Sequence, residues 1–404
     1  MAAGLFRPGE LMRAGCAGAA FFLILCSYYI LRPVRDDMAV RFGADRLQWL
    51  FSATFLFTLL VVPLFGTVVR TLPRQRVLPL VYGFIVIKLL AFQAAFASGP
   101  SPLGAAIFFV WLSVFNLFVV SLFWSRMGDS FSTEESHRLY GYIAAGGTCG
   151  ALAGPALTAV LARHLPAAHL LGLSALLLCL AIACVLALPR SGAPQEGRPV
   201  GGSVLAGIAL AAKRPDLRRM AILVLCYTTV STVLYVEMVR QAGLRYADSG
   251  ERTSFFAAVD LAVNAAALSL QLLGTRRLVG RFGLRVTLPL VPVLMAAALG
   301  MLAAWRGLAA LAAVQVLHRA GEYALGKPGR EMVYTALDAE SRYKAKNFID
   351  TAVYRAGDAG SAWAIAALRG LGLDAFLFAA LPAALLWAAT GFRLGERHDR
   401  NQST

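Results

Sequence analysis

At 404 residues, 58 % hydrophobic and only 15 % charged, with a mean hydropathy of +0.66, the chain is too apolar to be a water-soluble domain. Its net charge of +16 would suggest a nucleic-acid partner in a soluble protein. Here the basic residues sit in short loops between apolar runs, the distribution expected of a membrane protein, and no basic domain stands apart to hold nucleic acid.

A bilayer core of about 30 Å needs about 20 residues of helix. Only helices and closed barrels can span it with the backbone satisfied. The apolar runs are too long and uniform for barrel strands, so the fold class is an all-α polytopic membrane bundle. Twelve spans are predicted, at about 11–40, 47–69, 77–97, 103–125, 139–161, 167–189, 219–239, 253–273, 285–305, 308–326, 347–368 and 373–392. The first run reads as a spanning helix and not as a cleaved signal.

That first run ends in SYYILRPVRDD, Ser27 to Asp37, with four charges. Arg32 and Arg35 share a helical face, and Arg32 and Asp36 have the spacing of an i,i+4 pair. Two readings stay open. A helix ending at Leu31 leaves the cluster in water. A helix continuing to about Phe42, bent at Pro33, carries both arginines into the protein, where guanidinium groups suit a phosphate or carboxylate.

Span 5 reads GYIAAGGTCGALAGPALTAV, with Gly146, Gly150 and Gly154 every four residues. That stripe allows another helix to approach closely. A G-x-x-x-G-P run at this place also resembles a motif of facilitator-type antiporters, and helix packing explains it about as well. Between spans 6 and 7 lies the longest gap, Gly/Pro-rich and then basic. It predicts a six-helix bundle over 1–189, a cytoplasmic linker over 190–218 and a second bundle over 219–404. If both termini are cytoplasmic, that side holds 25 of the 38 Lys and Arg and the other side 10, which predicts an N-in, C-in topology.

The halves echo each other. The loops after spans 2 and 8 are short and basic, and those after spans 4 and 10 each carry an acidic-Ser-basic cluster, at Glu135 to Arg138 and Glu340 to Arg342. Parallel six-helix repeats are the signature of the major facilitator fold, in which spans 1, 4, 7 and 10 face a central cavity.

Leaving aside the first two residues of each, the later spans hold eight charged residues: Lys88, Glu237, Asp260, Arg319, Glu322, Asp350, Arg355 and Asp358. Each would cost ~2.5–3.5 kcal/mol alone at the bilayer centre, so they pair or face a wet cavity. Arg319 with Glu322 and Arg355 with Asp358 have i,i+3 spacing. Either these pairs only lock helices together, or Arg319 and Glu322 also bind substrate or couple ions. Lys88 is expected to pair or snorkel, Asp260 to bond with Asn264, and His318 to be a satisfied interior group. The six cysteines show neither disulfide nor zinc spacing, and no phosphate-binding G-x-x-x-x-G-K-[ST] run is present, so no cofactor is expected.

Three segments together resemble the ATP/ADP translocase family, the nucleotide transporters of plastids and intracellular bacteria. They are YYILRPVRDDMAV in the first span, VLYVEM at 233–238, and YKAKNFIDTAVYRAGD at 343–358 with Arg330-Glu331-Met332 upstream. The resemblance implies a secondary transporter of the bacterial plasma membrane, moving a nucleotide or another phosphorylated organic anion, and not an enzyme. It puts the family's first-helix lysine on Arg35, its helix-7 glutamate on Glu237, and a functional lysine on Lys344 or Lys346. Its helix-4 glutamate has no match, since Asn116 is the only strongly polar group there. With Arg32, Arg319 and Glu322 added from their position and chemistry, these form the expected substrate site. A proton-coupled facilitator of an unrelated drug or carboxylate, using Glu237, Asp260 and Glu322 as proton carriers, is the competing expectation.

Overall fold

The computed structural model describes residues 10–71, 74–188, 214–305, 307–335, 346 and 348–403, and every regular element among them is helical. In the first half the helices are α1 (Glu10–Phe42), α2 (Leu47–Thr71), α3 (Arg74–Phe96), α4 (Pro102–Ser130), α5 (Thr133–Leu161) and α6 (Ala167–Leu186). In the second half they are α7 (Pro215–Arg245), α8 (Ser249–Leu270), α9 (Arg276–Ala304), α10 (Leu308–Gly321, continuing through Lys327–Thr335), α11 (Tyr354–Gly370) and α12 (Leu381–Ser403). Most of the linker expected at 190–218 lies outside the described residues.

Four π-helical turns occur among the described residues, all in the second half: Gln271–Thr275, Glu322–Gly326, Phe348–Val353 and Phe376–Ala380. The first runs into α9, the second joins the two parts of α10, and the others lead into α11 and α12. Helix continues from α8 through the first of them, and the chain turns at Gly283, whose φ of 67° suits glycine. The amides of Leu284 and Arg285 just past this corner donate to the Asp399 carboxylate, at 3.1 and 2.9 Å.

Nine described stretches are long and apolar enough to cross a membrane, one of them the 56-residue run Ser249–Ala304 that contains the Gly283 corner. α10 and α11 fall outside that group because charges interrupt their apolar faces. The outward leucines Leu56, Leu60 and Leu64 of α2 are exposed. In lipid such a face needs no protein cover, so helix association must come from close packing and hydrogen bonds.

The chain divides into two compact units, one of residues 1–42, 57–198 and 245–261, the other of 43–56, 199–244 and 262–404. In the first, α1 packs on α4, α5 and α6. The glycine stripe of α5 meets the α1 backbone directly. A Cβ on Gly146 or Gly150 would collide with the carbonyl oxygen of Gly18 or Phe22, and one on Gly154 would lie 2.7 Å from that of Cys26. On the α6 side, Ser27 and Ser174 exchange hydrogen bonds with each other's carbonyls at 3.0 and 3.1 Å. The Glu135 cluster is a capping box with Ser132, and Glu135 also accepts from Arg13 at 2.7 Å. Arg138 reaches Glu10 at 2.8 Å. The matching cluster at 340–342 lies outside the described residues.

In the second unit, α12 packs on α9, where a Cβ on Gly395 would strike the Leu284 carbonyl. Two of the π turns are tied together there. Gln271 Nε2 donates to the Tyr323 carbonyl at 3.0 Å and Thr275 Oγ1 to that of Ala324 at 2.8 Å. A π turn shifts carbonyls out of the regular ladder, and these side chains satisfy them.

Candidate functional site

The charged cluster of the first span is inside a helix. α1 runs unbroken through Pro33 to Phe42, which decides between the two readings of its end. Asp36 and Asp37 are buried, and the side chains of Arg32 and Arg35 are each only 16 % exposed. Arg35 takes Asp36, through Nε at 3.0 Å and Nη2 at 2.6 Å, and its guanidinium lies 5.3 Å from the Phe109 ring centre. Arg32 reaches across to Asp260 of α8, Nε to Oδ2 3.4 Å. The sequence spacing offers Asp36 to Arg32 and Asn264 to Asp260. To these α8 adds a long-range partner, a carboxylate brought against that face of α1.

One turn further on, fully buried Asp37 accepts from Arg252 Nε and Ser249 Oγ, with Arg41 at 3.7 Å. Arg252 also donates to the carbonyls of Tyr246 and Ala247, at 3.1 and 2.7 Å. A single guanidinium therefore ties the end of α1 to the connection between α7 and α8. No local spacing signals this, since the partners are more than 200 residues apart.

A second polar cluster lies in the other unit, around α10. Its hub is Arg330. The helix extends past the expected boundary at 326 to Thr335, so Arg330 is on a helix and not in a loop, with a side chain 11 % exposed. Arg330 forms the ion pair with buried Glu322, which corrects the expected Arg319–Glu322 pair. The physical reason is the π turn at Glu322–Gly326. It absorbs roughly one residue more than an α turn and so aligns residues eight apart. Side chains on a helix lean toward its N-terminus, which points Arg330 back at Glu322.

Around this pair, the Arg330 guanidinium lies 5.8 Å from the Tyr227 ring centre. Asp350 is within electrostatic range of Arg330, Lys327 and Lys346. Lys346 binds Glu331 at 2.7 Å on the exposed side. His318 is fully buried and stacks on Tyr227 at 5.1 Å and 9°. Neither of its ring nitrogens has a hydrogen-bond partner among the described residues, so aromatic packing rather than hydrogen bonding holds it, contrary to the expectation of a satisfied histidine. Arg319, one residue on, is also buried. Arg355 and Asp358 do form their i,i+3 pair, at 3.6 Å, and Thr232 donates to Asp358 at 3.2 Å.

Glu237 stands elsewhere. It lies ten residues beyond Tyr227 on α7, about 15 Å along the axis at 1.5 Å per residue. There it accepts from Arg240, Gln241 and Arg369. So the structure gathers Glu322, Arg319 and the Lys346 pair around α10, puts Arg32 and Arg35 together on α1, and sets Glu237 in a separate cluster. Lys344 is outside the described residues. Lys88 is exposed, its ammonium 5.4 Å from the Phe84 ring centre, which fits snorkelling.

Among the described residues no three His, Cys, Asp or Glu side chains are grouped to hold a metal ion. The polar clusters instead join guanidinium, carboxylate and aromatic groups at membrane depth. Charges on membrane-spanning helices pair with one another or face a wet cavity.

Comparison with known proteins agrees. Residues 17–337 match the family model described as Major Facilitator Superfamily. No curated protein sequence matches the chain. Among solved structures it is similar to the nucleoside transporter NupG, with 12 % identity, a TM-score of 0.62, and coverage of 96 % of this chain and 98 % of that one. It is similar also to the human organic anion transporter MFSD10, with 15 % identity, a TM-score of 0.61, and coverage of 97 % and 100 %. A D-xylose-proton symporter gives 12 % identity, a TM-score of 0.66, and coverage of 96 % of each chain. At these identities the likeness shows a shared fold. The helices, the family match and the buried charges lead to one conclusion: the chain belongs to the Major Facilitator Superfamily and is a multi-pass membrane transporter, not an enzyme.

Proposed function

We propose that the chain is a secondary transporter working by alternating access, exchanging nucleotides or other phosphorylated organic anions. The observation that carries this reading is the set of largely buried arginines in the helical bundle: Arg32 and Arg35 on α1, Arg319 and Arg330 on α10. A buried ion pair is often replaceable by apolar packing at no loss of stability, so pairs kept at membrane depth point to function. Asp260, Asp36 and Glu322 then act as stand-ins for the oxyanions of the solute. A phosphate would displace a carboxylate from each guanidinium, whose fork of N–H donors can hold it in a two-pronged way. Phe109 beside Arg35 and Tyr227 beside Arg330 add aromatic faces on which a base could stack.

The resemblance of the first-helix, helix-7 and 343–358 segments to ATP/ADP translocases supports the nucleotide as the solute. The absent helix-4 glutamate argues for a site charge different from theirs. The plasma membrane of a bacterium, with both termini cytoplasmic, is the setting that this reading and the loop charges support.

The test is uptake of labelled ATP and ADP into vesicles containing the purified protein, with and without nucleotide inside. Uptake that requires internal nucleotide supports exchange. A flux of some other solute driven by a pH gradient, with no nucleotide exchange, overturns it. One observation favours that second reading: Glu322 is buried and its Oε2 has no hydrogen-bond partner among the described residues, a place where a proton could reside.

A further inference from the structure

The Glu237 cluster borders a cavity of about 360 Å³ in the second unit. That volume lies within the ~300–1,000 Å³ range of small-molecule sites. Its apolar side is Val233, Ile365, Leu373 and buried Phe376. Its polar side is Glu237, Arg240, Arg369, Asp45 and Asp374. A neighbouring recess of about 240 Å³ shares Asp45, Ile365 and Arg369.

Glu237 is spoken for. Oε2 accepts from Arg240 Nε at 2.9 Å and Arg369 Nη2 at 3.3 Å, while Oε1 accepts from Arg240 Nη2 and from Gln241 at 2.9 Å. Its side chain is only 8 % exposed, so it serves as the anchor that orients two guanidiniums and not as the ligand's partner. The arginines remain 38 % and 29 % exposed, and Arg369 touches Asp45 only at 3.8 Å. Asp45 is 92 % exposed at the rim. Asp374 is held by the amide of Phe376 at 2.8 Å.

The charges decide the ligand class. Two arginines against Glu237 leave one positive charge to meet an anion. Asp45 and Asp374 add two negative charges to meet a cation. A simple anion would face the acids and a simple cation the arginines. A molecule carrying both charges, with an apolar group for the Val233–Phe376 side, meets every part of the lining.

We propose that this cavity binds a small zwitterion of the free amino acid class, its carboxylate on Arg240 and Arg369 and its ammonium toward Asp45 and Asp374. The site shares no residue with the Arg330 cluster, and the proposal goes beyond the anion reading above. On the topology expected from the loop charges, the cavity opens at the non-cytoplasmic end of α7.

The experiment is titration calorimetry on the detergent-purified full chain with three probes: L-leucine, isocaproate, which lacks the ammonium, and isoamylamine, which lacks the carboxylate. The expected result is saturable leucine binding, with each single-charge probe weaker by about tenfold or more, a loss of at least ~1.4 kcal/mol for an unmet charge. Arg369→Gln should weaken leucine and isocaproate and should not weaken isoamylamine. Leu373→Trp fills the cavity without touching an ion pair and should abolish leucine binding while the protein keeps its melting temperature. No saturable binding at millimolar leucine, single-charge probes as tight as leucine, or unchanged binding in Leu373→Trp each overturns the proposal. It fails separately from the transport reading: nucleotide exchange without leucine binding removes this site alone.

Discussion

Glu322 and Arg330 form a buried ion pair across a π turn in α10, eight residues apart on one helix. Their partnership sets a clear stability expectation. Removing one member of a buried pair leaves an uncompensated charge and costs about 3–5 kcal/mol, whereas removing both can be neutral. Glu322→Gln and Arg330→Met should each lower the melting temperature in detergent. The double variant should recover much of that loss yet stay inactive in transport. Additive losses in the double variant would show that the two side chains do not act as a pair.

The π turn also explains why this pair is hidden in the sequence. With a 3.6-residue repeat, Glu322 meets Arg319, and that is the partner the spacing offers. The inserted residue moves the register, and nothing in EYALG marks it. Arg330 does carry a signal, because it heads the Arg-Glu-Met triplet quoted for the family resemblance, but hydropathy alone places it beyond the end of the helix. SYYILRPVRDD is half legible: apolar residues past the charges allow a helix to Phe42, but the sequence leaves an end at Leu31 equally open, and only the fold decides. The partners distant in sequence, Asp260 for Arg32 and Arg252 for Asp37, are unreadable because pairing over 200 residues leaves no local pattern. Glu237 stands out by resemblance, while its anchoring role requires Arg240 and Arg369 in view.

Arg35 offers the direct test of the anion site. Arg35→Ala should abolish nucleotide binding while the protein still reaches the membrane, and Arg35→Lys should keep part of it, because a lysine retains the charge and loses the two-pronged contact. Binding of a fluorescent nucleotide analogue to the purified variants measures this. Wild-type affinity in Arg35→Ala would remove α1 from the site.

Lys346 and Glu331 make a pair that is 38 % and 42 % exposed. Exposed pairs contribute about 0–1 kcal/mol. Glu331→Gln should therefore leave the melting temperature nearly unchanged. Lys346→Ala should do the same and yet reduce uptake if the ammonium meets the solute. A fall in stability matching the fall in uptake would assign Lys346 a structural role only.

Asp37 and Arg252 make a contact of the opposite kind, buried and multiply bonded. Asp37→Asn keeps the shape and removes the charge, so Arg252 loses its counter-ion while its carbonyl contacts remain. Amides at 246–254 should then exchange hydrogen faster than in the parent, with little change elsewhere in α5 or α6. Arg252→Lys should loosen the same stretch, since one ammonium cannot serve Asp37, Tyr246 and Ala247 in the same geometry. Unchanged exchange in both variants would mean that the α7–α8 connection is held by other contacts.

The glycine stripe supplies a test of helix approach. Gly150 has no room for a Cβ, because the Phe22 carbonyl of α1 occupies that space, whereas nothing lies within 4 Å of where a Cβ would stand at Gly141. Both are in α5, so the helix-propensity gain from Gly to Ala, about 1 kcal/mol, is common to the two. Gly141→Ala should raise the melting temperature slightly. Gly150→Ala should lower it, because α1 must move off the α5 backbone and weaken the Ser27–Ser174 exchange on its other side. Thermal unfolding followed by tryptophan fluorescence distinguishes the two. Equal stabilisation by both substitutions would mean that α1 and α5 are further apart than the contact requires.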